Sequence, residues 1–572
     1  SISPTQIRLV IDGTLKEDRD AMIEYIPLAI PALFMEEARV ENEGGAAITV
    51  GASLSEIGVE SRRLTIRSKI GTIVIEAIKG PGFKMVDRRA KPYKGREIFI
   101  FTVATSPSLA KGERFYHEMT LTATGDFKSF AELPSLTPAG GSVRFRSPEK
   151  IQLAPLSKEI FPKPKNLSVG AESVLLPDAF GIAAESPQKS ERFAALLAEL
   201  FAATSMPRTA KADPKGWIKV KNVTPPKTNA FDYYELSVTK NGATIGAASD
   251  AAVYYALSTL VQLQDGAGSL RLAEVKDWAD FRYRAIHILA DDHSLPLHSL
   301  LISNVFGPLR INHLMFECEY VKWPSHPEMH QSWGMKPEEV RTLVRLANEH
   351  FIEVSPVFQT YGHCEYLFKD KNNLEIAEDT GAPYAYNVSN PRTYEIIGDL
   401  FADMRKIFLA PAFLHIGHDE VTIRGKYPAR PENLNTSLAD LLWKDLGYYE
   451  SYAKKESLSL MLWQDYLNGR SHPEHREALL GVAKKMNKNS VIAVWDYRPA
   501  ADFPEVDEFQ ALGFRVVGAT GEEDVANLVN FSRYGKKKNI FGMLHTTWTG
   551  YSGNAQSMFR YAKKMWPYIQ AG

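Results

Sequence analysis

From about residue 280 onward the sequence repeats one rhythm eight times: a short run of β-branched and aromatic residues, then a longer stretch with helical spacing. The short runs are YRAIHILA from Tyr283, NHLMFECEY from Asn312, IEVSPVFQ from Ile352 and FLHIGHDEV from Phe413, then SLMLWQDYL from Ser459, VIAVWDY from Val491, FRVVGAT from Phe514 and GMLHTTWT from Gly542. Between them, PEEVRTLVRLANE carries Pro337 in its first turn and places Val340, Leu343, Val344 and Ala347 on one face, the signature of an amphipathic helix. Asn390 is placed to cap a second helix that begins with Pro391 and buries Ile397, Leu400, Phe401 and Met404. Eight strand–helix units over residues 279–572 predict a (β/α)8 TIM barrel. A doubly wound open sheet is the alternative, but no Gly-rich phosphate loop follows the first strand.

Each run starts apolar and ends in functional-group chemistry. The first four end in Asp291, Asp292 and His293; Glu317, Glu319 and Tyr320; Gln359, Tyr361 and His363; and His415, His418, Asp419 and Glu420. The last four end in Trp463, Gln464 and Asp465; Trp495, Asp496 and Tyr497; Thr520; and His545 with Trp548. A single Trp or His at a strand end is more often packing than ligand contact. Eight ends of this kind are what a barrel needs, because its active site forms at the C-terminal ends of the strands. The densest end is LHIGHDEV, Leu414 to Val421. Two adjacent carboxylates repel, and the repulsion separates their proton affinities. Strict alternation along a strand would send Asp419 and Glu420 to opposite faces, so the strand must end or bulge here, with Gly417 nearby to allow it. Trp463, Trp495 and Trp548 can wall a pocket around the carbon face of a pyranose, and 11% aromatic content suits a protein that stacks flat ligand faces.

The chain ahead of the barrel divides in two. Residues 1–155 hold a series of short β-type runs, among them QIRLVI, GAAITVGA, RRLTIRS, GTIVIEAI, REIFIFTVA and FYHEMTLTA, with SVRFRS near Ser142 closing the series. This predicts a β-sandwich, more plausibly a brace than a carbohydrate-binding module. After a Pro-rich joint (Pro155, Pro162, Pro164), residues 156–278 read as a small α/β accessory domain. In it ERFAALLAELF and DAAVYYALSTLVQLQ are helical, and YYELSVTKNGATIGAAS is a hairpin turned at Asn241-Gly242.

Composition removes several classes of function. Lys+Arg (67) and Asp+Glu (68) nearly cancel and no basic stripe is present, which argues against nucleic acid as a partner. No apolar run approaches the roughly 18 residues of a membrane span. The first residues, SISPTQIRLV, have neither a basic n-region nor a long apolar core. A secreted or periplasmic location after removal of a leader, and a cytoplasmic one, both remain open. Two cysteines, Cys318 and Cys364, exclude a disulfide framework.

The stretch His415-Ile416-Gly417-His418-Asp419-Glu420 resembles the H-x-G-x-D-E signature on the fourth barrel strand of glycoside hydrolase family 20, the β-N-acetylhexosaminidases. FPKPK at Phe161, YYALSTLVQL and EVKDWADFRYRA resemble the start, last helix and exit of that family's accessory domain. ECEY and FQTYGHCEYL look like the branch whose second strand ends in Glu-Asp-Thr-Tyr and whose third ends in Gln-Thr-x-x-His. The resemblance covers residues 156–572.

It implies removal of terminal β-linked N-acetylhexosamine, GalNAc or GlcNAc, from an oligosaccharide or glycoconjugate, with retention of configuration and no cofactor or metal. The substrate's own acetamido oxygen would be the nucleophile, giving an oxazolinium intermediate, the substrate-assisted exception to the two-carboxylate scheme. Glu420 would be the general acid and then the base. Asp419 would stay ionised and orient the acetamido N–H. Asp292, Glu319, His363, His418, Trp463, Asp465, Trp495, Asp496, Tyr497 and Trp548 are the expected substrate-binding set.

Departures from the family pattern bear on specificity. By register, Asp292 stands where the better-known members carry an Arg that grips O3 and O4, a change that opens the way to GalNAc. The family's Tyr-x-Asp on strand seven is replaced by Val517-Gly518-Ala519-Thr520, and its hold on the acetamido oxygen passes to Tyr497 or Asp496. His418 stands where Gly or Met is commoner, placed to bond a carboxylate or line the pocket. Two rival readings are a metal-dependent hydrolase using His415, His418, His363, Asp292, Asp419 and Glu420, and a catalytically silent carbohydrate-binding protein. The first is weakened because histidines three apart on a strand face opposite ways. The second is weakened by the intact acid pair.

Overall fold

The computed structural model describes residues 160–548, apart from positions 203, 205, 206, 266, 267, 293 and 522–524, together with strands and a few adjoining positions between residues 5 and 125. The expected SVRFRS strand, Pro155 and His293 lie outside the described residues. Ser1–Glu149 and Lys150–Gly572 form two compact units.

In the first unit the β-type runs form two antiparallel sheets, of six and four strands. Arg114–Gly125 is the longest strand of the larger sheet and pairs with both Thr5–Thr14 and Gly71–Lys79. Strict in–out alternation is visible in Arg63–Arg67, where Leu64 and Ile66 are buried while Arg63 and Arg67 face solvent.

The second unit begins with a mixed sheet running from Asn166–Leu175 to Ser269–Ala279. The helix Pro187–Ala202 buries Phe193, Leu196, Leu197, Leu200 and Phe201, the face expected from its spacing. The helix Asp250–Gln262 is capped by Ser249, whose side chain accepts from the Ala252 N–H, and it is apolar almost all round because it is buried almost all round. Asn241-Gly242 turns the hairpin between Phe231–Thr239 and Gly242–Ala247.

The remaining sequence closes into a parallel eight-stranded barrel. Its strands are β1 (Tyr283–Ile288), β2 (His313–Glu317), β3 (Glu353–Thr360), β4 (Phe413–Gly417), β5 (Ser459–Trp463), β6 (Val491–Trp495), β7 (Arg515–Thr520) and β8 (Gly542–His545). β8 pairs back onto β1, with Gly542 opposite Tyr283. Every strand overlaps a predicted run, and polar residues lie at or just past its C-terminal end. Inside the barrel, Ala285, Met315, Val357, Met461, Val491, Ala493, Val517, Ala519 and Leu544 form an apolar core. Tyr283, Phe413 and Phe541 pack on one another at the N-terminal end and close it. The helices that follow the first seven strands are α1 (Ser294–Leu301), α2 (Pro337–Glu349), α3 (Pro391–Arg405), α4 (Leu438–Glu456), α5 (Arg476–Lys485), α6 (Pro504–Ala511) and α7 (Val525–Lys538). Pro337 and Asn390 occupy the expected helix starts, and Val344 is only half-buried.

Buried charge joins the α/β sheet to the barrel. The guanidinium of Arg310, entering β2, pairs with Asp277 and also donates to Tyr234 Oη at 2.9 Å. Arg284 on β1 is fully buried, pairs with Asp232 at 2.8 Å and donates to the carbonyls of Phe281 and Arg310. Removing one partner of such a pair leaves the other charge desolvated and uncompensated. Asp277→Ala should therefore destabilise this unit by about 3–5 kcal/mol. Urea unfolding monitored by tryptophan fluorescence checks this, and a loss under 1 kcal/mol, roughly the value of a surface ion pair, would contradict it.

Candidate active site

β4 does not run on into its charged tail. Gly417 has φ +68°, and a Cβ built there would meet Gln359 Oε1 at 2.2 Å, so only glycine fits. His418 (φ +69°) and Glu420 (φ +47°) are also left-handed. Strand alternation is lost over these residues, and the adjacent carboxylates are free to converge. They meet at His363, itself at φ +54° beyond β3: its Nε2 lies 3.5 Å from Asp419 Oδ2 and 3.2 Å from Glu420 Oε2.

The three groups share their charge unequally. Burial alone would depress the His363 pKa, but the hydrogen bond to Glu420 and the charges of both carboxylates raise it to about 9. The hydrogen bond from His363 holds Glu420 below its ordinary range, against partial burial. Asp419 is pushed up to about 7, chiefly by burial and further by the charge of Asp465, with His363 opposing. In the resting site the proton order is thus the reverse of the expected one, because Asp419 is the buried carboxylate and Glu420 takes the imidazolium.

Asp465, expected to bind substrate, has both oxygens engaged within the protein: Oδ2 accepts the Glu420 N–H at 2.9 Å and Oδ1 accepts the Trp495 Nε1–H at 2.8 Å. Behind Asp419 lies a second carboxyl pair. Glu317 Oε2 is 2.5 Å from His287 Nε2, and Glu319 Oε1 accepts the Gln359 N–H at 2.9 Å. Burial pushes Glu317 up to about 7, and burial and the charge of Glu317 push Glu319 well above the usual carboxylate range, with the two side chains in contact. Trp463 is buried beneath the mouth, its ring 4.4 Å from His415 and 6.0 Å from Trp548, which is partly exposed. Burial lowers the pKa of His415 far below its ordinary value, so it is a neutral filler of the barrel interior. Tyr497 Oη accepts the Trp548 Nε1–H at 2.8 Å, and its ring lies where any side chain on Gly521, just past β7, would collide with it.

Two expected pocket residues, His418 and Asp496, are held by neighbours within the protein. His418 is 1% exposed and turned outward, with Nε2 2.8 Å from Asp445 Oδ2 on α4. Asp445 also accepts from Tyr386 and Tyr394. His418 thus braces the strand end from behind and does not line the pocket. Asp496 is held by the guanidinium of Arg498, two residues on, through bonds of 3.0 and 2.6 Å, which lower its pKa despite burial. That leaves Tyr497 as the candidate donor of the two. Asp292 sits in the turn between β1 and α1, half-buried, with its N–H donating to the Trp333 carbonyl. Sequence reasoning passed over Tyr384, whose hydroxyl donates to the Glu420 carbonyl at 3.2 Å and whose ring packs edge-on against His363. It comes from an irregular loop with no periodic signal.

Among the described residues, His363, Asp419 and Glu420 are the group whose ligand atoms converge closely enough for a cation, within 4.8 Å of one another. The two histidines of LHIGHDEV are not part of it.

Comparison with known proteins bears on the family and the fold. The glycosyl hydrolase family 20 catalytic domain matches residues 321–524, and domain 2 of the same family matches residues 157–278. The chain belongs to glycoside hydrolase family 20. Hexosaminidase D of Homo sapiens is 25% identical over 232 residues, covering 39% of this chain and 46% of that protein. The β-hexosaminidase subunit beta of Felis catus is 24% identical over 321 residues, covering 51% of this chain and 57% of that protein. The chain thus spans about half the length of these relatives. Among solved structures, a family 20 exo-β-N-acetylglucosaminidase from Vibrio harveyi in complex with N-acetylglucosamine has the same fold, with TM-score 0.60 at 18% identity over 94% of this chain and 95% of that one. The β-N-acetylhexosaminidase from Bacteroides fragilis matches with TM-score 0.57 at 17% identity over 72% and 91%. In no described helix is there a segment long and apolar enough to cross a membrane.

The His363 shift has a consequence for stability. Its proton is held more tightly in the folded protein than in the unfolded chain, so the stabilisation is complete below about pH 6.5 and lost as pH rises through about 9. Between these values the melting temperature of the wild type should fall more steeply than that of His363→Asn. Parallel curves from differential scanning calorimetry would contradict the assignment.

Proposed function

We propose that this protein is a retaining β-N-acetylhexosaminidase that removes terminal β-linked GlcNAc or GalNAc from glycans by substrate-assisted catalysis. The observation that carries the reading is Asp419 Oδ1, a buried carboxylate oxygen with no hydrogen-bond partner among the described residues, beside a second carboxylate whose proton affinity is governed by a shared imidazolium. A buried acceptor left unmatched is costly unless a ligand donor fills it, and the acetamido N–H is such a donor.

In this mechanism the N–H bond to Asp419 favours its ionised form, which draws the cluster's proton away from it. Glu420 then carries the proton, received across the 3.2 Å contact with His363. The acetamido oxygen attacks C1 while the C1–O bond to the aglycone breaks, and Glu420 protonates the departing oxygen. The positive charge of the resulting oxazolinium lies against ionised Asp419. Water then attacks C1, Glu420 takes its proton, and the ring C1–O bond opens to regenerate the acetamide. Two inversions give net retention. In this reading Trp495, Trp548 and Tyr497 form the aromatic wall of the sugar site, with Trp463 packed beneath Trp548.

A side-by-side assay of 4-nitrophenyl β-GlcNAc, β-GalNAc and β-galactoside tests the reading. Turnover is expected for the acetamido sugars only, and Glu420→Gln should lower it by about 10²–10⁴-fold. Equal cleavage of the galactoside, or a Glu420→Gln variant as fast as wild type, would overturn it.

A further inference from the structure

We propose that Asp465 is the positioning residue that joins the proton donor to the sugar-stacking wall, so that acid catalysis at Glu420 depends on a carboxylate that touches no substrate. The inference rests on the glycosidase reading above and concerns how its acid is aimed.

Glu420 is held in a left-handed backbone conformation (φ +47°), which a non-glycine residue keeps only when its surroundings impose it. Two bonds grip that peptide unit: the Glu420 N–H donates to Asp465 Oδ2 at 2.9 Å, and the Glu420 carbonyl accepts from Tyr384 at 3.2 Å. The first is the shorter, and the Asp465 side chain that accepts it is buried. Asp465 leaves β5 only two residues past its end, so its carboxylate stands on a rigid support. Its other oxygen takes the indole N–H of Trp495 at 2.8 Å.

Trp495 is fixed on its remaining sides as well. Its N–H donates to Gln464 Oε1 at 2.9 Å, its carbonyl accepts from Gln464 and Arg470 at 3.0 Å each, and the Arg470 guanidinium lies 4.3 Å from the ring centroid. A sugar face packed on Trp495 is therefore tied through one carboxylate to the backbone that sets where Glu420 points. An amide at position 465 offers one acceptor and sets an NH₂ against one of the two donors, so it must release either Glu420 or Trp495.

Leaving-group dependence separates this role from general structural support. A 2,4-dinitrophenolate departs without a proton, whereas the sugar leaving a β-1,4-linked GlcNAc disaccharide needs one. Asp465→Asn should lose about 10²-fold or more in kcat/KM on the disaccharide and less than about tenfold on 2,4-dinitrophenyl β-GlcNAc, the pattern also expected of Glu420→Gln. Trp495→Phe, which keeps the bond to Glu420, should lose similar factors on both substrates. Asp465→Glu, which keeps the charge but moves the oxygens by one methylene, should repeat the selective loss if Asp465→Asn does not fold. Equal losses on both substrates in a folded Asp465 variant, or no loss, overturn the proposal. A wild-type protein that cleaves neither substrate overturns the glycosidase reading instead.

Discussion

The turn from Gly417 to Glu420 is the constraint on which the rest of the mouth depends. Were β4 to continue, Asp419 and Glu420 would project to opposite faces, one toward the barrel axis and one toward the helices. Left-handed backbone at Gly417, His418 and Glu420 ends that alternation and lets both carboxylates reach one imidazole. The conformation is imposed from several sides. Gln359 occupies the space that a side chain at position 417 would need, Asp445 holds His418 from the helix layer, and Asp465 and Tyr384 hold the two ends of the Glu420 peptide unit. The strain is distributed over β3, β4, β5 and α4, which is why a site of three side chains requires a barrel to carry it.

Electrostatics give this geometry its chemistry. Asp419, Asp465, Glu317 and Glu319 are all buried, and burial raises the pKa of each. His363 and His287 stand at the two ends of this acidic group, one against the Asp419–Glu420 pair and the other against Glu317. Such a cluster holds fewer negative charges than carboxyl groups at neutral pH, and small changes in solvation redistribute its protons. The resting order, with Asp419 high and Glu420 low, is one distribution. The mechanism proposed above uses the other, which a ligand N–H at Asp419 Oδ1 would favour.

Much of this was legible in the sequence. Eight apolar runs ending in polar residues located the eight strands and their active ends, because in a barrel the strand's end is the chemistry's beginning. The hairpin at Asn241-Gly242 and the helix starts at Pro337 and Asn390 followed from turn and cap preferences that act locally. Position along a strand does not reveal which way a side chain turns once the strand has stopped. The sequence leaves His418 either bonded to a carboxylate or lining the pocket, and its bond to Asp445 on α4 is the first of these; Asp496, expected in the pocket, is held by Arg498 two residues on. The engagement of both Asp465 oxygens is a fact of tertiary structure that its place at a strand end does not disclose. Tyr384 was missed because nothing periodic marks its loop. The order of the Asp419 and Glu420 proton affinities depends on relative burial, which adjacent residues do not disclose.

The central claim is that Asp419 serves a nucleophile supplied by the substrate. The most direct measurement is the turnover of 4-nitrophenyl β-N-acetylhexosaminides whose acetamido methyl carries zero, one, two or three fluorine atoms. Fluorine withdraws electron density from the attacking oxygen, so log kcat should fall steadily and steeply along the series, and the slope should flatten in Asp419→Ala. A rate independent of fluorine content in the wild type would mean that the acetamide does not attack, and would contradict the account.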